Sequence, residues 1–272
     1  MRGLYTAGVL DVMMKNKIEI NGIVGVSAGA LFGMNYKSKQ VGRVLRYNKA
    51  FCKNKDYMGL YSLVTTGNIM NEEFCFNRIV NELDPIDFET FRSSSEEFYA
   101  VVTNMETGKA EYIKIQNFDS KENIEYLRAS GSMPYVSKPV VIGDKKYLDG
   151  GIADSIPIEK ITEMGFDKII VVLTRPVDYR KKKGNQVLPK VVYGKYPELV
   201  ETLCNRYKRY NEQVERVLEL EKAGKIFVFR PSTFVDIKRV ERNVEKVQQM
   251  YDLGVRDCEE KLEELKVYLE KI

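Results

Sequence analysis

The chain contains no histidine. That absence excludes a Ser-His-Asp triad, a Cys-His protease, a HExxH zinc site, a carboxylate–histidine iron site and a His-ligated haem. Any acid–base chemistry is left to Asp, Glu, Lys, Tyr or Cys. Cysteine is scarce: Cys52, Cys75, Cys204 and Cys258 lie far apart with no CxxC pair, the usage expected of reduced thiols in a cytoplasmic protein. Long apolar runs are missing too. The longest purely aliphatic stretch, Ile169 to Leu173, falls far short of the roughly 18 residues a membrane span needs. Near the start Asp11 interrupts the apolar residues and no small-residue cleavage site follows, so no secretory signal is expected. Internal repeats and low-complexity linkers are also absent.

What is present is globular in composition: 272 residues, 44% hydrophobic and 30% charged. The length allows one domain or two. The net charge of +4 is local, because seven basic residues against the single acid Asp178 lie between Arg175 and Lys195. Within that window Arg180-Lys181-Lys182-Lys183 reads either as a solvated loop or as a patch for anionic lipid headgroups, worth at most ~1 kcal/mol per cation near such a surface. No basic helix or interleaved aromatic platform accompanies it, which argues against nucleic acid as a partner.

Helical and strand patterns alternate, which predicts α/β architecture. Leu4 to Lys17, Ala28 to Lys37 and Asn71 to Leu83 read as helices, and Ile23 to Val26 as a short buried strand. Phe98 to Thr103 with Ala110 to Ile115, and Val140 to Ile142 with Lys145 to Leu148, read as hairpins. Asp119 and Glu122 resemble a capping box for a helix ending near Ala129. Ser155 and Pro157 open a helix closed by Gly165, and Lys168 to Leu173 is a buried strand. In the last third, a helix opened by Pro197 and ended by Gly224 is followed by the strand Ile226 to Phe229. A single final helix is then expected to carry a stripe from Val240 to Leu269. That stripe would suit a partner helix, but the intervening strand favours packing on the chain's own sheet.

Two motifs carry chemistry. Gly25-Val26-Ser27-Ala28-Gly29 matches G-x-S-x-G between a strand and a helix, the setting in which a nucleophile is exposed on a sharp turn and only small residues fit two positions either side. The helix N-terminus then turns free N–H groups towards the serine. The same five residues also suit a glycine-lined βα turn that only packs tightly. With no histidine, Ser27 needs another base. Composition cannot choose among 39 carboxylates, but Asp149 ends a hairpin strand and is followed by Gly150-Gly151, which let the backbone turn and leave the carboxylate unobstructed. An aspartate with a pKa near 3.9 must be partly desolvated to accept a serine proton. Asp-Gly-Gly is also an ordinary turn. A serine–lysine pair would compete, but no S-x-x-K occurs in the chain.

Taken together, Gly25-Val26-Ser27-Ala28-Gly29, Asp149-Gly150-Gly151 and a histidine-free Ser/Asp pairing resemble the patatin-like phospholipase family. Arg2-Gly3-Leu4-Tyr5-Thr6-Ala7-Gly8-Val9-Leu10 is similar to the helix after that family's glycine-rich loop. Arg128-Ala129-Ser130-Gly131-Ser132-Met133-Pro134 is similar to the Ala-Ser…Pro segment ahead of its Asp motif. The resemblance covers roughly residues 1 to 175, with the motifs in the family's order. It implies a three-layer α/β/α fold with a central, mostly parallel sheet, in one domain over 1–272. Residues 1–175 would be the core with both motifs, and 176–272 a helix–strand–helix part packed on it.

The implied activity is hydrolysis of fatty-acyl esters of phospholipids or lysophospholipids, with Ser27 as nucleophile, Asp149 as general base and an acyl-enzyme between them. No cofactor and no metal are implied, the partner is a fatty-acyl lipid, and peripheral contact with an anionic membrane surface is expected of the basic run. Oxyanion contacts fall to Ala28, Arg2 and Gly3. The family pattern reads G-G-G-x-R/K-G and Met1-Arg2-Gly3 occupies its x-R-G, so the resemblance places three glycines and a strand ahead of residue 1. A chain short of such donors is expected to be slow, since losing one typically costs about 2.7–4 kcal/mol. A lipid-binding or regulatory protein that keeps the fold without efficient catalysis, and a short-chain esterase, are the alternatives.

Overall fold

A computed structural model describes residues 1–270. The first helix, α1 (Leu4–Lys15), is buried almost all round, and the strand β1 (Gly22–Val26) follows it. The helices α2 (Ala28–Lys37), α3 (Arg43–Phe51) and α4 (Leu60–Thr66) come next. The segment expected as a helix over 71–83 runs from Glu73 to Leu83 with π-type winding. After α5 (Phe88–Ser93) come β2 (Glu97–Asn104) and β3 (Ala110–Lys114), then α6 (Lys121–Ser130). The hairpin β4 (Val140–Ile142) and β5 (Lys145–Asp149) turns at Gly143, whose φ of +61° is the left-handed conformation a two-residue loop requires. The rest is α7 (Ile158–Glu163), β6 (Ile169–Val172), α8 (Leu188–Tyr193), α9 (Pro197–Lys222), β7 (Ile226–Phe229), α10 (Val244–Glu260) and α11 (Leu262–Glu270).

The fold is three-layer α/β/α, and its sheet is mixed rather than purely parallel. β2 pairs with β1 in parallel and with β3 and β5 antiparallel, and β4 joins the outer edge of β5. The register matters most at the carboxyl end of β1: Val26 lies opposite Val101, and the next residue of β2, Val102, lies opposite Asp149. One strand therefore brings the residue before Ser27 and the end of β5 to the same level. Contrary to the expectation that the last third continues the sheet, β6 and β7 do not extend it by hydrogen bonds. β6 and β7 pair in parallel with each other as a two-stranded ladder.

That ladder shows the layering through its alternation of side chains. Ile169, Val171, Ile226 and Val228 pack with α7 and α9, whereas Ile170, Val172, Phe227 and Phe229 join the core built around α1 and α10. α1 and α10 cross at two glycines. A methyl group on Gly254 would lie 2.1 Å from the Tyr5 carbonyl oxygen, and one on Gly8 2.3 Å from that of Tyr251. The crossing is locked by buried Asp11, which accepts hydrogen bonds from the Tyr251 hydroxyl (2.7 Å) and the Gly42 N–H (2.9 Å). Gly254→Ala is expected to destabilise the protein by about 1–3 kcal/mol through overpacking. Urea denaturation measures it, and an unchanged midpoint would contradict the close crossing.

Two further expectations are corrected. The cap of α6 is Ser120, whose Oγ accepts from the Glu122 N–H (3.1 Å), because Asp119 is drawn away to Arg92 at 2.5 Å. The final helix is broken: Val240 precedes it, and at Lys261 the chain leaves helical geometry, its N–H turning to the Cys258 carbonyl. No helix among the described residues is long and apolar enough to cross a membrane.

Candidate active site

Ser27 sits between the end of β1 and the first residue of α2, with φ +55° and ψ −121°. An L-residue adopts this backbone only under strain, of order 1–3 kcal/mol, and such strain clusters at functional positions. Gly25 is what permits the tight turn, since a methyl group there would lie 2.5 Å from the Ala30 Cα. Gly29 is different: nothing stands within 4 Å of a methyl group there, so the steric need expected on both sides of the serine exists on one side only. The turn is tied to α6 by the Ser27 N–H, which donates to Ser130 Oγ at 3.0 Å.

Asp149 is 5% exposed and lies at the end of β5. Its Oδ2 accepts the Ser27 hydroxyl at 2.6 Å and its Oδ1 accepts the Gly151 N–H at 2.8 Å. The backbone around it is fastened on both sides: its N–H donates to the Ser132 carbonyl and the Thr103 hydroxyl donates to its own carbonyl, both at 2.8 Å. Gly150 is obligatory by contact, because a methyl group there would lie 2.2 Å from the Val101 carbonyl oxygen. The two motifs and the Ser130–Ser132 segment thus meet around one hydrogen bond.

Burial raises the Asp149 carboxyl above the ordinary carboxylate value. Four features oppose it: the Arg206 guanidinium first, then the Ser27 hydroxyl, the Gly151 N–H and the charge of Arg239. Arg206 reaches the site from α9, and its Nη2 would stand 3.3 Å from a methyl group on Gly151. Because the positive charge favours the carboxylate, Arg206→Gln should push the Asp149 pKa further up. The acidic limb of kcat/KM against pH is expected to move to higher pH by about 1–3 units. A limb that stays put, or moves to lower pH, would contradict the coupling. Arg206 escaped the sequence reading. Its signal is a charged residue on an inward helical stripe, between Leu203 and Tyr207–Tyr210.

The hydrogen-bonded pair opens into a cavity of about 1250 Å³, larger than the roughly 300–1,000 Å³ usual for small-molecule sites. Leu10, Met13, Phe76, Ile161 and Leu269 are among its apolar lining, and β1 and β6 both border it. Arg2, Gly3 and Ala28 line it beside Ser27. Gly3 packs directly on the start of α2, where a methyl group would lie 2.7 Å from the Ala28 Cβ. The Ala28 N–H, in the first turn of α2, has no intrahelical acceptor. The basic run divides: Arg180 pairs with Glu215 at 2.7 Å, Lys183 is exposed, and Lys181 and Lys182 line the cavity. No group of three or more Cys, Asp or Glu side chains placed to hold a metal occurs among the described residues.

Two family models match the chain. The Patatin-like phospholipase model covers residues 1–161, somewhat less than the span the motifs had suggested, and a domain of unknown function, DUF6363, covers residues 196–270. The chain is 25% identical over 181 residues to the uncharacterized protein YjjU of Escherichia coli (strain K12), covering 64% of this chain and 49% of that protein. It is 23% identical over 171 residues to an uncharacterized NTE family protein of Mycobacterium bovis, covering 63% and 45%. It is 27% identical over 192 residues to Lysophospholipase nte1 of Aspergillus niger, covering 65% and 11%. The chain therefore spans about half the length of the first two relatives and a small part of the third. With more than half of its residues matched by that first model, and with the serine turn and the Asp-Gly-Gly strand end lying within the matched span, the chain belongs to the patatin-like phospholipase family.

Proposed function

We propose that this protein hydrolyses fatty-acyl esters of phospholipids or lysophospholipids with Ser27 as nucleophile and Asp149 as general base. The observation that carries the reading is the 2.6 Å hydrogen bond from Ser27 Oγ to a buried carboxylate at the wall of a large, partly apolar cavity. Ser27 Oγ attacks the ester carbonyl carbon while its proton passes to Asp149. The tetrahedral intermediate collapses to the acyl-enzyme, and the proton leaves with the alcohol. Water then attacks the acyl group, giving its proton to Asp149. Collapse releases the fatty acid and returns the proton to Ser27 Oγ. The Ala28 N–H is the nearest candidate for the oxyanion, with Gly3 and the charge of Arg2 beside it. The name of the Aspergillus relative and the matched family model support a lipid ester as substrate.

The test is hydrolysis of p-nitrophenyl esters of increasing acyl length alongside lysophospholipids. Rising kcat/KM with chain length is expected of a cavity with this lining. A maximum at two to four carbons, with no lysophospholipid turnover, would make the protein a short-chain esterase. No turnover of any ester would leave it a lipid-binding member of the family.

A further inference from the structure

Of the eight basic side chains that line the same cavity as Ser27, five act on one another through their charges: Arg2, Arg175, Lys181, Arg206 and Arg239. None forms an ion pair with a carboxylate among the described residues, although neighbouring arginines do: Arg180 with Glu215, Arg216 with Glu159 and Arg230 with Glu221. The acid next to this group in sequence, Glu241, is already occupied by the backbone N–H groups of Lys238, Arg242 and Asn243. Among the described residues the carboxylate that acts most on Lys181 and Arg206 is Asp149, and it is committed to Ser27.

The cluster is held in place. The Arg175 guanidinium lies 4.2 Å from the centre of the Tyr179 ring and the Lys181 ammonium 4.3 Å from that of Tyr210, and the two rings meet edge to face at 5.9 Å. The peptide of Lys181 is clamped by Asn211, which accepts its N–H at 2.8 Å and donates to its carbonyl at 3.1 Å. Arg206 Nε is buried without a hydrogen-bond partner. Burial first, and then mutual repulsion with Arg206 and Arg239, pushes the Lys181 ammonium down to about 7. Arg2 and Arg206 are lowered for the same reasons. Like charges gathered without a counter-anion oppose folding, and an incoming anion relieves that repulsion.

We propose that these five cations form the headgroup subsite of the hydrolase and select substrates whose phosphate carries a net negative charge, a lysophosphatidate-type phosphomonoester above all, over zwitterionic choline lipids. The assignment rests on the (lyso)phospholipid hydrolase reading given above. In a glycerophospholipid the ester and the phosphate hang from one glycerol, so a carbonyl placed at Ser27 brings the phosphate into the same cavity. Guanidinium groups bind phosphate oxygens in pairs, whereas a choline ammonium would be set among like charges, a juxtaposition that discriminates by repulsion. Arg206 and Arg239 both lie within the 196–270 segment, so the part of the chain with no assigned role would supply substrate selection.

The experiment compares kcat/KM for lysophosphatidate and lysophosphatidylcholine of the same acyl chain, at fixed mole fraction in neutral detergent micelles, with a p-nitrophenyl ester as a headgroup-free reference. The anionic lipid should be preferred about 10–100-fold, the range of one or two charge-assisted contacts. The ratio should fall towards one in Lys181→Gln/Arg239→Gln and persist in Lys181→Arg. Because the ratio is taken within one protein, a general loss of activity cancels. In the unaltered protein it should also shrink as salt is raised. A ratio near one with the p-nitrophenyl ester still hydrolysed overturns the headgroup subsite and leaves the hydrolase reading standing. If inorganic phosphate competes with the p-nitrophenyl ester while the lipid ratio stays near one, the cluster takes a free anion and the headgroup assignment is wrong. If no ester is turned over, the hydrolase reading has failed and the subsite with it.

Discussion

Ser27→Ala should reduce ester turnover by about 10⁴–10⁶-fold and abolish labelling by a serine-reactive phosphonate, while the far-ultraviolet circular dichroism is unchanged. Ser27 is the serine held on the strand-to-helix turn with its hydroxyl donated to a buried carboxylate. Ser130, its close neighbour, spends its Oγ as acceptor for the Ser27 N–H. Labelling of any other serine in the variant would contradict the assignment. The strained backbone supplies an independent check. Glycine adopts φ +55° without the cost that an L-residue bears there, so Ser27→Gly should stabilise the inactive protein, by up to about 1–3 kcal/mol.

Asp149→Asn is expected to lower turnover by about 10²–10⁴-fold, the usual contribution of a general base. The amide is isosteric and its oxygen still accepts the Gly151 N–H, but it cannot take a proton from Ser27. With no histidine in the chain, the unaltered protein should show no limb near pH 6–7 from an imidazole base. Its acidic limb should instead follow the Asp149 carboxyl, which burial raises above the ordinary carboxylate value. Near-normal turnover in Asp149→Asn would point to another base. A limb near pH 7 in that variant would identify Lys181, whose ammonium is pushed down to about 7 beside the same site.

The local parts of this site were legible because they are written in consecutive residues. Gly25 to Gly29 is a turn whose sterics follow from its own backbone, and α2 begins and ends where its pattern says. The hairpin that ends at Asp149 is equally local. What the sequence did not reveal is that the strand it read over Phe98 to Thr103, β2, lies between them and sets Val26 and Asp149 at one level through pairings more than 45 residues apart in the chain. Long-range cations were missed for the same reason. Arg206 occupies a helical stripe otherwise read as packing, and its charge acquires meaning only when α9 is laid against Gly151. The basic run read as surface, yet Tyr210 and Asn211 of α9 turn Lys181 into the cavity. The break at Lys261 was hidden because apolar spacing continues smoothly from α10 into α11.

The most direct test of the Ser27–Asp149 chemistry is mass-spectrometric mapping of the residue modified by a long-chain alkyl fluorophosphonate in the unaltered protein, with and without excess lysophospholipid. One adduct per chain is expected, on the peptide carrying Ser27, with its formation slowed by the lipid. An adduct on any other residue, or phospholipid turnover that survives complete modification of Ser27, would contradict the account.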